Sequence, residues 1–119
     1  MQPSKVLLVD DSMLMHKLFS ALLPKATLVS AHDGIEALER LAEHPDIDLM
    51  LLDINMPRMN GLELLRRVKA EPPLAGIPVV IVTTEGKEED TINGLRAGAA
   101  AYLRKPFQRR EILDLIERL

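Results

Sequence analysis

Five short aliphatic runs, each followed by a stretch with helical spacing, set what this chain can fold into. The runs are KVLLV (5–9), TLVSA (27–31), LMLLD (49–53), PVVIVTT (78–84) and AAYLRK (100–105). A strand–helix rhythm repeated five times predicts a parallel sheet wrapped by helices on both faces, an α/β fold of the doubly wound kind. The third run is apolar on both alternating sides until its last residue, as expected of a strand covered on both faces. The intervening helices are expected over Met13–Leu23, with Leu14, Leu18 and Leu22 four apart, and then over a segment where Ile35, Leu38, Leu41 and Ala42 share a face. A third carries Leu62, Leu65 and Val68 and stops at Pro72-Pro73, which cannot continue it. The fourth, Glu88–Ala97, holds Ile92 and Leu95 on one side and is weakened by Gly94, with Gly98 placed as its C-terminal cap. The last, Arg109–Leu119, turns Ile112, Ile116 and Leu119 inward.

Composition removes several function classes. At 119 residues the chain has the length of one domain, and residues 1–119 are expected to form a single one. Aromatic residues make up only 3% against 47% hydrophobic, which disfavours flat ring-stacking surfaces for flavins or single strands. A net charge of −3 gives no basic stripe for a phosphate backbone, so no direct nucleic-acid contact is expected. The absence of cysteine excludes disulfides and thiolate chemistry and suits a reducing compartment. MQPSK has no signal-like apolar segment and no run reaches the length of a membrane span, so a cytoplasmic location and no membrane partner are expected.

In doubly wound sheets, ligands bind outside the carboxyl ends of the strands. The first run ends in Asp10-Asp11, the third in Asp53, the fourth in Thr83-Thr84, and the fifth in Arg104-Lys105 before Pro106. Asp11 or Ser12 suits the cap of the helix that starts near Met13. Two adjacent anions repel, however, and capping needs only one residue. If the first, third, fourth and fifth strands are neighbours, three carboxylates, a hydroxyl and an ammonium converge on one rim. Hard carboxylate oxygens suit Mg²⁺, which keeps several waters that a phosphate can replace.

The segments VLLVDDS, DGIEAL, DLMLLDINMPRMNGLELL, IPVVIVTT and GAAAYLRKPF closely resemble the receiver domain of bacterial two-component response regulators, the chemotaxis-regulator fold. They span nearly the whole chain, in order, each at an expected element end. The resemblance implies a (βα)5 flavodoxin-like sheet of strand order 2-1-3-4-5 and a phosphorylation-controlled signalling switch. It implies Asp53 as phosphoacceptor, taking a phosphoryl group from a histidine kinase or phosphotransfer protein. It further implies Mg²⁺ held by Asp11, by Asp10 through a water, by Asp53 and by the backbone carbonyl of Asn55. Lys105 becomes the cation for a phosphoryl oxygen, with a cis peptide before Pro106. Thr83 becomes the switch hydroxyl and Tyr102 the aromatic that follows it. A protein-binding face from the fourth helix to the fifth is then expected to meet a downstream protein or a fused effector domain, as a monomer or a phosphorylation-dependent dimer. The chain is expected to be either a stand-alone regulator or a receiver from a longer one.

Two positions depart from the pattern. Thr84 stands where many receivers carry alanine or glycine and adds bulk at the mouth of the site, while Asn60 replaces a common acidic residue. Asn55 and Glu85 match the types found in receivers that lose their phosphoryl group readily, so Thr84 and this pair point in opposite directions. A Mg²⁺-dependent phosphohydrolase with an aspartyl-phosphate intermediate is the alternative, but it usually carries a second Asp where this chain has Asn55, which shuttles no proton. A flavin or nucleotide module would need a glycine- or hydroxyl-rich phosphate loop where DDSMLM stands. His16, His32 and His44 are scattered singly and are expected at the surface or in packing.

Overall fold

The computed structural model describes residues 1–54, 59–84 and 88–119, the side chains of 88–90 excepted. The expected alternation is present: β1 (Lys5–Val9), α1 (Met13–Leu22), β2 (Thr27–Ala31), α2 (Gly34–Glu43), β3 (Leu49–Leu52), α3 (Gly61–Ala70), a short α4 (Pro72–Ala75), β4 (Val79–Thr83), α5 (Glu88–Arg96), β5 (Ala101–Arg104) and α6 (Arg109–Arg118). The strands form one parallel sheet in the order β2-β1-β3-β4-β5. This is the doubly wound arrangement, with the reversal of order at β1 and β3.

Strand alternation divides the core in two. Leu7, Val9, Met50, Leu52, Val79 and Ile81 face α2 and α3, packing with Ala37, Leu41, Leu64, Leu65 and Val68. Val6, Leu8, Leu49, Leu51, Val80 and Val82 face the opposite way, toward Phe19 and Leu22 of α1 and Ile112 and Ile116 of α6. β1, β3 and β4 are covered on both sides, which is why their sequences do not alternate with polar residues.

The helix stripes are turned from their expected orientation in places. On α1 the buried residues are His16, Phe19 and Leu22, whereas Leu14 is 71% and Leu18 37% exposed. Phe19 brings more apolar surface than either leucine and meets Phe107 at 5.7 Å between ring centroids, so the helix rotates to bury it. On α2 Ile35 and Ala42 are exposed and Ala37 and Leu41 are buried. On α5 Ile92 and Leu95 share a side as expected, but it is the solvent side. Gly94 faces the sheet instead: a Cβ there would lie 2.5 Å from Cδ1 of Ile81, so its missing side chain permits close approach. Pro72 and Pro73 end α3 and also open α4, since proline is compatible with the first turn of a helix. Gly98, at φ +109°, supplies the left-handed residue beyond α5, its N–H donating to the Leu95 carbonyl at 3.1 Å.

Candidate phosphoacceptor and metal site

Four adjacent strands end at one rim. The β1–β3 register pairs Val9 with Leu52, and the Asp53 N–H continues that ladder to the Val9 carbonyl at 2.9 Å, which sets residue 53 beside residue 10. Across the sheet, the Lys105 N–H donates to the Thr83 carbonyl at 2.8 Å, carrying the β4–β5 pairing one residue past the strand. Thr83 and Lys105 thereby reach the same edge as the aspartates.

The β1–α1 turn explains the doubled carboxylate. Ser12 is the N-cap of α1, its hydroxyl accepting from the Met15 N–H at 3.4 Å, so the capping role falls to neither aspartate. Asp10 is buried, and its Oδ1 accepts from the Ser12 N–H at 2.8 Å, which fixes one carboxylate oxygen and turns the other toward the rim. Asp11 is exposed. Asp10, Asp11 and Asp53 each offer a carboxylate oxygen within 4.8 Å of the others, the group among the described residues suited to holding a metal ion.

Lys105 answers part of this charge. Its Nζ donates to Asp10 Oδ2 at 2.6 Å and lies 3.7 Å from Asp53 Oδ2, with its side chain only 12% exposed. One ammonium among three carboxylates leaves the cluster anionic. Oxygen donors of this hardness and a residual negative charge fit a divalent cation such as Mg²⁺. The peptide bond between Lys105 and Pro106 is cis, as the resemblance implies.

Other expected residues fall as follows. Asp53 is 8% exposed and Thr83 fully buried at the end of β4. Tyr102 is half-buried on β5, paired in register with Ile81 and packed against the core on the α2–α3 side. Thr84 is exposed at the rim. Asn55 and Glu85 lie outside the described residues. Asn60 caps α3 by accepting from the Glu63 N–H at 3.0 Å, a task asparagine and aspartate perform about equally well. Gly61, the first residue of α3, presses on the backbone just past β3: a Cβ there would lie 2.5 Å from the Asp53 carbonyl oxygen and 2.5 Å from Cα of Ile54.

His16 and His32, scattered singly in the sequence and expected at the surface or in packing, pack on one another: their rings lie 5.0 Å apart between centroids, tilted by 38°. His16 is buried, with Nε2 2.7 Å from the Asp10 carbonyl oxygen and Nδ1 2.8 Å from Ser30 Oγ. Sequence spacing gives no sign of this, because its partners come from β1 and β2.

The comparisons agree with the geometry. Residues 6–117 match the response regulator receiver domain. The chain is 36% identical over 116 residues to the chemotaxis protein CheY homolog of Campylobacter jejuni, covering 95% of this chain and 89% of that one. It is 39% identical over 115 residues to the transcriptional regulatory protein CpxR of Escherichia coli, covering 95% of this chain but only 47% of that protein. The crystal structure of the CheX-CheY-BeF3-Mg+2 complex from Borrelia burgdorferi superposes with a TM-score of 0.90 at 30% identity, over 98% of this chain and 88% of that one.

Proposed function

Since the chain belongs to the response regulator receiver domain family, whose members are phosphorylation-controlled signalling switches, we propose that Asp53 is its phosphoacceptor and that Mg²⁺ is its cofactor. Residues 1–119 are read as one receiver domain acting in the cytoplasm, its phosphodonor a histidine kinase or phosphotransfer protein and its output a downstream protein or effector domain. The observation that carries the reading is the convergence of Asp10, Asp11 and Asp53 within 4.8 Å, with Lys105 between Asp10 and Asp53. The complex from B. burgdorferi is named for its BeF3 and Mg2+, which supports the same chemistry for this chain. Receivers are regulators rather than classical enzymes, and the phosphohydrolase alternative is not favoured by a family match spanning residues 6–117.

Each side chain then has a task. The Asp53 carboxylate is anionic at neutral pH, so it attacks without a general base and needs only positioning and charge neutralisation. An O–P bond forms as the N–P bond of the donor phosphohistidine breaks, and the departing imidazole nitrogen takes a proton from solvent. Asp11, Asp53, the Asn55 carbonyl and, through a water, Asp10 would hold Mg²⁺, which when bound would offset the repulsion between carboxylate and phosphoryl oxygens. Lys105 binds a phosphoryl oxygen as a mobile point charge. Thr83 donates its hydroxyl to another, and Tyr102 moves toward the space it leaves, reshaping the face from α5 to α6. Slow attack by water on the acyl phosphate resets the switch, and Thr84, exposed at the rim, together with Glu85 governs access.

Mass spectrometry after incubation with acetyl phosphate and Mg²⁺ tests the assignment. One acid-stable, base-labile phosphoryl adduct on Asp53 is expected, absent from Asp53→Asn. An adduct that persisted on another carboxylate in that variant would overturn the choice of acceptor.

A further inference from the structure

His16 is the fourth residue of α1 and points back toward the start of its own helix, where its ring closes a bridge between two strand ends. Nε2 lies 2.7 Å from the Asp10 carbonyl oxygen. A carbonyl carries no proton, so Nε2 is the donor, and Nδ1, 2.8 Å from Ser30 Oγ, accepts the serine hydroxyl in the neutral ring. Ser30 belongs to β2 and pairs in register with Leu8, two residues before Asp10. His32 lies against the ring at 5.0 Å between centroids, and only 7% of His16 is exposed. The imidazole is thus fixed by both nitrogens and by a neighbouring ring.

What it holds is one peptide plane. The Asp10 carbonyl and the Asp11 N–H belong to a single planar unit. An oxygen pinned at 2.7 Å therefore fixes ψ of Asp10 and φ of Asp11 together, and with them the directions in which both side chains leave the backbone. Asp10 is further tied through Ser12 and Lys105, but Asp11 is exposed and follows the backbone that carries it.

From this we infer that His16 is a positioning residue for the cation site: by donating Nε2–H to the Asp10 carbonyl it aims the Asp10–Asp11 carboxylate pair at the metal. The inference rests on the reading of the carboxylate cluster as a Mg²⁺ site. Hydrogen bonds of this outer kind, made to the groups that carry metal ligands, are worth about 10- to 100-fold in metal affinity.

The two amide side chains separate the roles of the two ring nitrogens. Glutamine places its NH₂ near the position of Nε2 and keeps the donor to Asp10; asparagine reaches only as far as Nδ1 and keeps the link to Ser30. Mg²⁺ affinity, measured by calorimetry on the unphosphorylated chain, is expected to fall about 10-fold in His16→Asn and His16→Leu and to stay within about 3-fold of the parent in His16→Gln. The Asp11 amide resonance of the metal-free protein should shift in the first two variants and hold in the third. Thermal melts without Mg²⁺ separate folding from positioning. Equal Mg²⁺ affinity in all four proteins, or affinities that follow the melting temperature whichever amide is present, would overturn the inference. A parent chain that bound no Mg²⁺ would overturn the metal reading and this inference together.

Discussion

The ammonium of Lys105 lies closer to Asp10, at 2.6 Å, than to Asp53, at 3.7 Å. Asp10 is 2% exposed, so this is a buried ion pair, and removing one partner of such a pair strands the other's charge. Lys105→Met is expected to lower the stability of the metal-free domain by about 3 kcal/mol, at the low end for that situation. The same change leaves the carboxylates more anionic. Mg²⁺ should then raise the melting temperature by more in Lys105→Met than in the parent, which calorimetric melts with and without the metal measure directly.

In the parent chain, Mg²⁺ should stabilise the unphosphorylated domain. Three carboxylate oxygens within 4.8 Å repel, and a ligand that binds only the folded state adds about 2.7 kcal/mol at 100 times its Kd. Asp11→Asn removes one anion without disturbing the buried pair. It is expected to lose most of the Mg²⁺-dependent rise while melting no lower than the parent in its absence.

Gly61→Ala tests the contact between α3 and the backbone that carries Asp53. A methyl group 2.5 Å from the Asp53 carbonyl oxygen and from Cα of Ile54 has to displace backbone, not a flexible side chain. Destabilisation of about 1–3 kcal/mol is expected, the usual cost of overpacking. Labelling by acetyl phosphate should slow as well, since the carboxylate moves with its own backbone.

Thr83→Ala separates phosphorylation from its consequence. The threonine hydroxyl gains a charge-assisted hydrogen bond only once phosphoryl oxygens are present, and such a difference between states is what shifts an equilibrium. The variant should still be labelled at Asp53, yet show little change at Tyr102 when beryllofluoride is added. Structures with and without beryllofluoride in which Tyr102 of the parent kept one rotamer would refute this route.

Lys69 yields a prediction about alkaline pH. Its Nζ donates to the carbonyls of Ala75 at 2.9 Å and Ile77 at 2.8 Å, tying α3 to the turn before β4, while burial lowers its pKa from the usual 10.5. A lysine whose folded pKa is depressed contributes less to stability when charged than when neutral, so its contribution improves as pH rises from the folded pKa to 10.5. Urea melts should show Lys69→Met less stable than the parent at neutral pH, with the gap widening over that alkaline interval.

The strands were legible because they depend on short-range pattern, whereas their order, and with it the rim, came from the resemblance to receiver domains. Aliphatic runs of about five residues mark covered strands, and a carboxylate that closes one, as Asp53 closes LMLLD, stands out against it. Helix faces were less legible. Leu14 and Leu18 on α1, and Ile92 and Leu95 on α5, satisfy helical spacing as well as the residues that are buried, and only tertiary competition from Phe19 and from the close packing at Gly94 decides between them. The hydrogen bonds of His16 could not be read. A buried imidazole gains its meaning from the Asp10 carbonyl and Ser30, and a carbonyl looks the same at every position in a sequence.

The N–H of Gly61 donates to the carbonyl of Ile54 at 3.1 Å, so the first turn of α3 is tied directly to the residue that follows Asp53. On its other side the Asp53 N–H is held by the Val9 carbonyl at 2.9 Å. Residue 53 is therefore a keystone: its backbone is gripped from β1 and from α3 at once, and neither element can shift without carrying the carboxylate with it.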